Sequence, residues 1–289
     1  MKTFSIAELE QYSLIKAHTF RTWEQRFNIF KTRRRMTNIR YYTVEDLAFL
    51  LDFSLLNRFG HKVSKLAFLD KQTIREKLFE LKEDPAKHQH QINQLIVCMF
   101  SLNIEDFELI LDSCVSTWGI DETIEEIILP FLERIEFFSY KGRTSVEYHF
   151  TVTALRKKLS VAIEQARPKQ AIEKSALLFL PQGEHYDLLL LYMDYKLRKS
   201  GLNVLYLGTN VSINNLQQVI QRKHPDFVIT YASAKSDVQK DLSDCIKGTE
   251  VNTYYFVTAV NDLPLALPHT KARSVPYRQL TGEVLALAG

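Results

Sequence analysis

The sequence predicts a multidomain protein of the α and α/β classes, with a winged helix-turn-helix, a four-helix bundle and a doubly wound parallel (Rossmann-like) sheet. Three observations predict it. Two short helical patterns precede a basic run near the start, and long amphipathic segments with short breaks fill the middle. Short apolar runs alternate with helical patterns towards the end. We expect the domains to cover residues 1–75, 76–167 and 168–289.

The head, residues 1–75, begins with predicted helices at 5–11 and 17–27. In the second helix, Phe20, Trp23 and Phe27 recur at helical spacing and form one apolar stripe, so Trp23 is expected in the core. Thr43 followed by Asp46 is typical of a capped helix start, which predicts a third helix over 44–58. Shorter helices follow at 63–69 and 71–83.

The charge of the chain is concentrated in this head. Residues 1–65 hold twelve Lys or Arg against six Asp or Glu, a net charge of +6, which leaves −3 for the rest of a chain whose total is +3. A basic segment beside a mildly acidic body is typical of a protein in which one module meets phosphates. The three adjacent basic residues Arg33, Arg34 and Arg35 also fit a simple solvated loop, and that alternative stays open.

The polar face of the 17–27 helix predicts a recognition helix for duplex DNA. Side chains long enough to reach base edges are expected at Lys16, His18, Thr19, Thr22 and Arg26, and cations that clamp the DNA backbone at Arg21 and Arg40. Glu24 is expected to pair with a nearby basic residue instead, because a carboxylate repels phosphate.

The head resembles the MerR family of transcription regulators over about residues 3–70. The resemblance is carried by Thr19-Phe20-Arg21-Thr22-Trp23-Glu24-Gln25-Arg26, by the basic run that follows, and by Arg40-Tyr41-Tyr42. The resemblance implies a DNA-binding wing at 31–42, with contacts from Arg33, Arg34, Arg35, Arg40 and Tyr42. The family commonly has Thr-Gly-Val in the turn, where this chain has Ser13-Leu14-Ile15. The missing glycine predicts a different turn geometry.

The middle of the chain predicts a helical bundle. Amphipathic segments at 91–102, 104–118, 122–135 and 145–166 are separated by short breaks, one of them at Gly119. The last part predicts parallel strands at 176–180, 204–207, 227–230 and 254–257, with a weaker fifth strand at 272–275. Helices near 184–200, 212–223 and 235–246 fall between them.

The body resembles the CarH/LitR class of cobalamin-dependent repressors over roughly residues 90–289. Pro181-Gln182-Gly183-Glu184 and the phrase Leu197–Gly208 carry the resemblance. The resemblance implies a cobalamin site in which Glu184 and His185 lie at the positions below the corrin ring. The residues implied to cover the upper face of the corrin are Phe138, Glu147 and His149, which follows Tyr148.

Other residues depart from that class. The position of the histidine that reaches cobalt is Tyr186, and His185 stands one residue early, a rotation of about 100° on a helix. Val257-Thr258-Ala259 stands where the class carries a glycine pair, and its Cβ atoms crowd the nucleotide tail. These departures predict that cobalamin is not bound in the usual mode. The crevice of the sheet then takes another small molecule, or none.

The predicted function is a sequence-specific transcription regulator that binds double-stranded DNA as a homodimer or tetramer, with RNA polymerase as a further partner at the promoter. No catalytic constellation is found, so the chain is not expected to be an enzyme. The alternatives are a cobalamin-carrying enzyme subunit, such as a corrinoid methyl-transfer protein, and a purely structural dimerisation protein. Isolated Cys98, Cys114 and Cys245 and the absence of a long apolar run predict a cytoplasmic protein with reduced thiols and no membrane contact.

Overall fold

The structure, a computed structural model, describes residues 2–30, 33–34, 36, 38–135, 145–168, 170–182, 187–231, 251, 253–258 and 272–288. The chain divides into two compact units, Met1–Ala154 and Leu155–Gly289.

The first unit begins with the head, whose predicted helices at 17–27 and 44–58 are confirmed. Its elements are α1 Ile6–Ser13, α2 Ala17–Phe27, β1 Arg33–Arg34, β2 Arg40–Tyr41, α3 Val44–Arg58, α4 Val63–Leu66 and α5 Lys71–Phe79. Capping boxes start α1 at Ser5 and α3 at Thr43, where Asp46 supplies the reciprocal carboxylate. The strands pair antiparallel, with Arg33 opposite Tyr41, and form the wing.

Aromatic side chains form the core of the head. Phe20 on α2 packs against Phe30 at 4.8 Å and Tyr42 at 5.2 Å between ring centroids. Trp23 packs against Phe53 of α3 at 5.4 Å and is buried, as its position in the apolar stripe predicted. These contacts fix α2 on α3 and direct the remaining face of α2 to solvent.

The bundle helices follow in the same unit, except that the last of them continues beyond Ala154 into the second unit. Its elements are α6 Asp84–Ser101, α7 Ile104–Glu122, a π-helical turn Thr123–Ile128, α8 Leu129–Arg134 and α9 Val146–Gln165. Helix α6 begins earlier than predicted, because Pro85 fits the first helical turn, where its missing N–H is not needed. The predicted break at Gly119 is a kink with φ 81° and ψ 168°.

A buried polar network joins α3 to α6 and α8. The Asn93 side chain donates to the Leu51 carbonyl at 3.2 Å, and Arg134 donates to Asn93 at 3.0 Å and to Gln89 at 2.7 Å. Burial lowers the pKa of the Arg134 guanidinium to about 10, and the nearby Arg58 charge acts in the same direction. The head helix α3 is therefore hydrogen-bonded into the bundle.

The second unit is an α/β domain with a parallel sheet. Its strands are β3 Ser175–Pro181, β4 Asn203–Val211, β5 Phe227–Tyr231, β6 Thr253–Thr258 and β7 Ala272–Pro276, in the order β4-β3-β5-β6-β7. Its helices are α10 Asp187–Lys199, α11 Ile213–Lys223 and Leu280–Ala288, here α12. All five predicted strands are present. The predicted helix at 235–246 lies outside the described residues.

The sheet is packed on both faces. Leu216 and Ile220 of α11 lie against Phe179 and Phe256 on one face, and α10 packs on β3 and β4. Strand β4 lies on one side of β3 and the later strands lie on the other, so the topological switch point is between β3 and β5. Across the described part of the chain, no helix is long and apolar enough to span a bilayer.

Candidate nucleic-acid interface

The turn before α2 is held in a left-handed conformation without glycine. Leu14 has φ 60° and ψ 17°, so it adopts the backbone region that glycine favours. The Ser13 hydroxyl donates to the Leu9 carbonyl at 2.6 Å and accepts from the Ile15 N–H at 3.2 Å. The turn thus reaches a conformation that glycine favours although it has no glycine, and the Ser13 hydroxyl holds both sides of it.

Glu10 of α1 fixes the start of α2. Its carboxylate accepts from Lys16 Nζ at 3.0 Å and from the Ala17 N–H at 3.0 Å, at the helix end where backbone N–H groups need acceptors. The hydrogen bond from Lys16, followed by that from Ala17, holds the pKa of the Glu10 carboxyl below its usual range. A residue outside α2 thus supplies its N-terminal cap.

One face of α2 is exposed and basic. His18, Arg21, Thr22, Gln25 and Arg26 are exposed and recur at helical spacing, and Thr19 beside them is half-buried. Among the described residues Arg21 has no hydrogen bond or ion pair. The Arg26 guanidinium lies 5.4 Å from the centre of the Phe27 ring and has no carboxylate partner in the described part of the chain.

The wing is tied to α2 through Glu24. Arg40 Nη1 donates to Glu24 Oε2 at 3.0 Å, and the Tyr42 hydroxyl donates to Glu24 Oε1 at 3.0 Å. The predicted pairing of Glu24 with a basic residue is confirmed. Burial first, and then the Glu24 charge, raise the pKa of the Tyr42 hydroxyl, so Tyr42 remains a donor.

The other described wing arginines are also engaged. Arg33 Nη1 donates to Asp46 Oδ2 at 2.5 Å, and Arg34 Nη1 donates to Asn38 Oδ1 at 2.9 Å. Arg33 keeps 42% of its side chain exposed, so a phosphate can still approach it. Arg35 lies outside the described residues. Tyr42 is fully buried, so its side chain offers no surface to DNA, and it positions Glu24.

The structure therefore brings most of the predicted contact residues onto one part of the head. The exposed cations of α2 lie on a helix that is fixed to α3 by aromatic packing and to the wing by Glu24. A rigid basic helix beside a two-stranded basic wing is the arrangement of a winged helix-turn-helix DNA-binding domain.

The comparisons with known proteins agree. Residues 4–66 match the family described as "MerR HTH family regulatory protein". Over 85% of the chain, covering 83% of the relative, the sequence is 22% identical to the HTH-type transcriptional repressor CarA of Myxococcus xanthus. The repressor CarH of the same organism is 22% identical over 78% of each chain. The chain is a DNA-binding transcription regulator whose residues 4–66 match the MerR helix-turn-helix family.

The body has a cobalamin-binding-like fold. A monomethylamine corrinoid protein from Methanosarcina barkeri superposes with a TM-score of 0.51 at 13% identity, covering 69% of this chain and 99% of that one. This likeness concerns the fold.

The described residues near the corrin positions contact other side chains of the chain. In the first unit, Glu147 pairs with Lys2 at 3.6 Å, and His149 is an exposed residue whose ring contacts Tyr148. Phe138, Glu184, His185 and Tyr186 lie outside the described residues. In the second unit, the first residue of α10 is Asp187, and its buried carboxylate is bound by Arg156 Nε at 2.9 Å and by Arg156 Nη2. The described carboxylates near the expected positions are thus already neutralised by cations.

Proposed function

We propose that the exposed face of α2 enters the major groove of duplex DNA while the wing lies along the adjacent phosphates. The contacts come from His18, Thr19, Arg21, Thr22 and Arg26 on α2, with Lys16 at its start, and from Arg33, Arg34, Arg35 and Arg40 in the wing. Tyr42 acts through Glu24 and does not touch the duplex. The observation that carries this proposal is the pair of exposed arginines on α2 without carboxylate partners among the described residues.

The remaining domains determine the oligomeric state. In this proposal residues 1–75 bind DNA, residues 76–167 form the bundle, and residues 168–289 form the α/β body. One head makes few base contacts, so two copies bind a two-fold symmetric site, as a dimer or within a tetramer. The repressor names of the two relatives support a role in which the bound protein limits access of RNA polymerase to a promoter.

The alternative of a corrinoid enzyme subunit has less support. A likeness in fold favours it, but such a subunit has no use for the basic segment 1–65, whose net charge is +6. We therefore propose a regulator without catalytic activity, and no step of its mechanism passes through cobalamin.

Selection of binding sites from random duplexes tests the proposal. The full chain is expected to enrich one sequence with two-fold symmetry. Arg21→Ala is expected to weaken binding to that sequence by roughly tenfold or more, as loss of a single arginine contact does. Arg222→Ala is a matched control, because it removes the same charge from an exposed position on α11. Failure to enrich any duplex at moderate salt, or equal losses in both variants, contradicts the proposal.

A further inference from the structure

A cavity of about 430 Å³ lies within the first unit, where helices α3 and α5 of the head meet α6 and α7 of the bundle. Its size falls within the range of about 300–1,000 Å³ that is common for small-molecule sites. Its walls are largely apolar. They include Leu78 and Phe79 of α5, Val97 of α6 and Leu109 of α7.

The Asp52 carboxylate lines this cavity. Asp52 is 9% exposed and lies between buried Leu51 and Phe53 on α3. It makes no hydrogen bond or ion pair with any other described residue. Acidic residues are rarely buried without a partner, because burial removes the water that stabilises the charge. Burial raises the pKa of this carboxyl to about 6, and the Arg75 charge opposes the rise.

A second polar group in the cavity also lacks a partner. The buried Nδ1 atom of His90 has no hydrogen-bond partner among the described residues, and its ring centroid lies 6.3 Å from that of Phe79. Burial lowers the pKa of His90, so the imidazole is neutral near pH 7 and does not supply the missing positive charge.

Arg75 does not neutralise Asp52 either. It lies on the exposed side of α5 at the cavity rim, and no ion pair within 4 Å joins it to Asp52. Gln94 and a second carboxylate, Asp106, also line the cavity, but Asp106 is exposed and accepts from the Asn103 side chain at 2.7 Å. The cavity therefore combines apolar side chains with one buried carboxylate, Asp52, that bears a negative charge above its pKa. The chemical complement of that combination is a cation that brings its own N–H donors and an apolar body.

We propose that this cavity binds a small organic ammonium ion, with its N–H donors on the Asp52 carboxylate and its apolar body against Leu78, Val97 and Leu109. The site is independent of the DNA-binding proposal, since it requires only the packing of α3, α5, α6 and α7. The exposed Arg75 and Asp106 in the lining carry opposite charges, so the one buried carboxylate, Asp52, is matched by a ligand with a single positive charge.

Two probes of nearly equal shape test the proposal on the full chain. 1-Naphthylmethylamine is an ammonium ion at pH 7.5, and 1-naphthalenemethanol is its neutral counterpart. Titration calorimetry is expected to show saturable binding of the amine at one site, with the alcohol weaker by roughly tenfold or more. Equal affinities, or no saturable binding of the amine, overturn the proposal.

Variants then locate the site. Asp52→Asn is expected to reduce the affinity for the amine to that for the alcohol, and to leave the alcohol unchanged. Glu76→Gln, which removes an exposed carboxylate on α5 outside the cavity lining, is expected to change neither affinity. A loss of amine binding in Glu76→Gln equal to that in Asp52→Asn overturns the proposal.

A variant at an exposed residue of the cavity lining tests the same site if Asp52→Asn does not fold. Leu109 is 65% exposed, so Leu109→Arg is tolerated by the fold and places a positive charge beside the cavity. Amine binding is expected to weaken by several-fold more than alcohol binding, because like charges repel. Unchanged amine binding in Leu109→Arg contradicts the assigned location.

Discussion

Two buried carboxylates in the first unit have opposite surroundings. Glu24 is 8% exposed and accepts from both Arg40 and Tyr42, whereas Asp52 is 9% exposed and has no partner among the described residues. Equal burial thus has different consequences. Around Glu24 the head is internally neutralised, and its free charge lies on the exposed face of α2. Asp52, in contrast, is a buried negative charge above its pKa and has no hydrogen-bond donor or cation bound to it among the described residues.

The largest effect that separates the two regions is expected for Glu24→Ala. Its removal leaves the Tyr42 hydroxyl without its acceptor and the partly buried Arg40 without its counter-charge. We expect the free energy of unfolding to fall by about 3 kcal/mol. Urea unfolding at pH 7.5 measures it. Gln25→Ala, an exposed neighbour, is the control and is expected within about 0.5 kcal/mol of the parent. A loss no larger than the control's contradicts a structural role for Glu24.

Asp52→Asn is expected to raise the free energy of unfolding above pH 6, whereas Glu24→Ala lowers it. The folded-state pKa of about 6 lies above the ordinary value of 3.8, so the folded state holds more protons between these values. Stability contributed by the protonated group is therefore lost as pH rises from about 4 to 6. Above that window the variant is expected to be more stable than the parent by about 2–3 kcal/mol.

The pH profile of unfolding is the measurement for this variant. Near pH 4 the stabilities of Asp52→Asn and the parent are expected to converge, because the carboxyl is then protonated in the folded protein. A variant that is less stable than the parent at pH 8 indicates that Asp52 has a donor, which removes the contrast with Glu24.

A smaller effect is expected in the turn that positions α2. Leu14→Gly relieves a left-handed backbone at a side chain that is 52% exposed, so little packing is lost. After allowance for the greater freedom of glycine in the unfolded chain, we expect stabilisation by about 0.5–1 kcal/mol. Leu109→Gly is the matched control. It lies in the interior of α7 and is expected to destabilise by about 1 kcal/mol.

The smallest effect is expected for Arg33→Ala. The Arg33–Asp46 pair is short, but Arg33 is 42% exposed, and water screens such a pair. Asp46 also keeps its role in the capping box with Thr43. The free energy of unfolding, measured by thermal unfolding, is expected to change by less than about 0.5 kcal/mol. A larger loss indicates that the wing depends on this pair as α2 depends on Glu24.

The sequence predicted the secondary structure closely where local signals are strong. The apolar run at 176–180 became β3, and the capping pair at Thr43 and Asp46 began α3 as expected. Strand β4 runs four residues beyond its predicted end at 207, because Gly208 and the polar residues after it carry no apolar signal. The early start of α6 was missed because the polar stretch after Pro85 has no apolar periodicity.

The partners of the site residues were less accessible to sequence reasoning. That Glu24 binds a cation follows from its place on a basic helix, but the choice of Arg40 depends on how the wing folds back. The capping of α2 by Glu10 depends on the turn at Leu14. Asp52 had a visible signal that the prediction did not use, a single acidic residue within the apolar run Leu50–Phe53.

The central claim, that α2 presents its free arginines to duplex DNA, is tested most directly by the salt dependence of binding. Affinity for the selected duplex should be measured over a range of salt concentrations for the parent, Arg21→Ala and Arg222→Ala. We predict that Arg21→Ala reduces the slope of log affinity against log salt by about one unit and leaves the free energy of unfolding unchanged. Slopes for Arg21→Ala and the parent that coincide would contradict it.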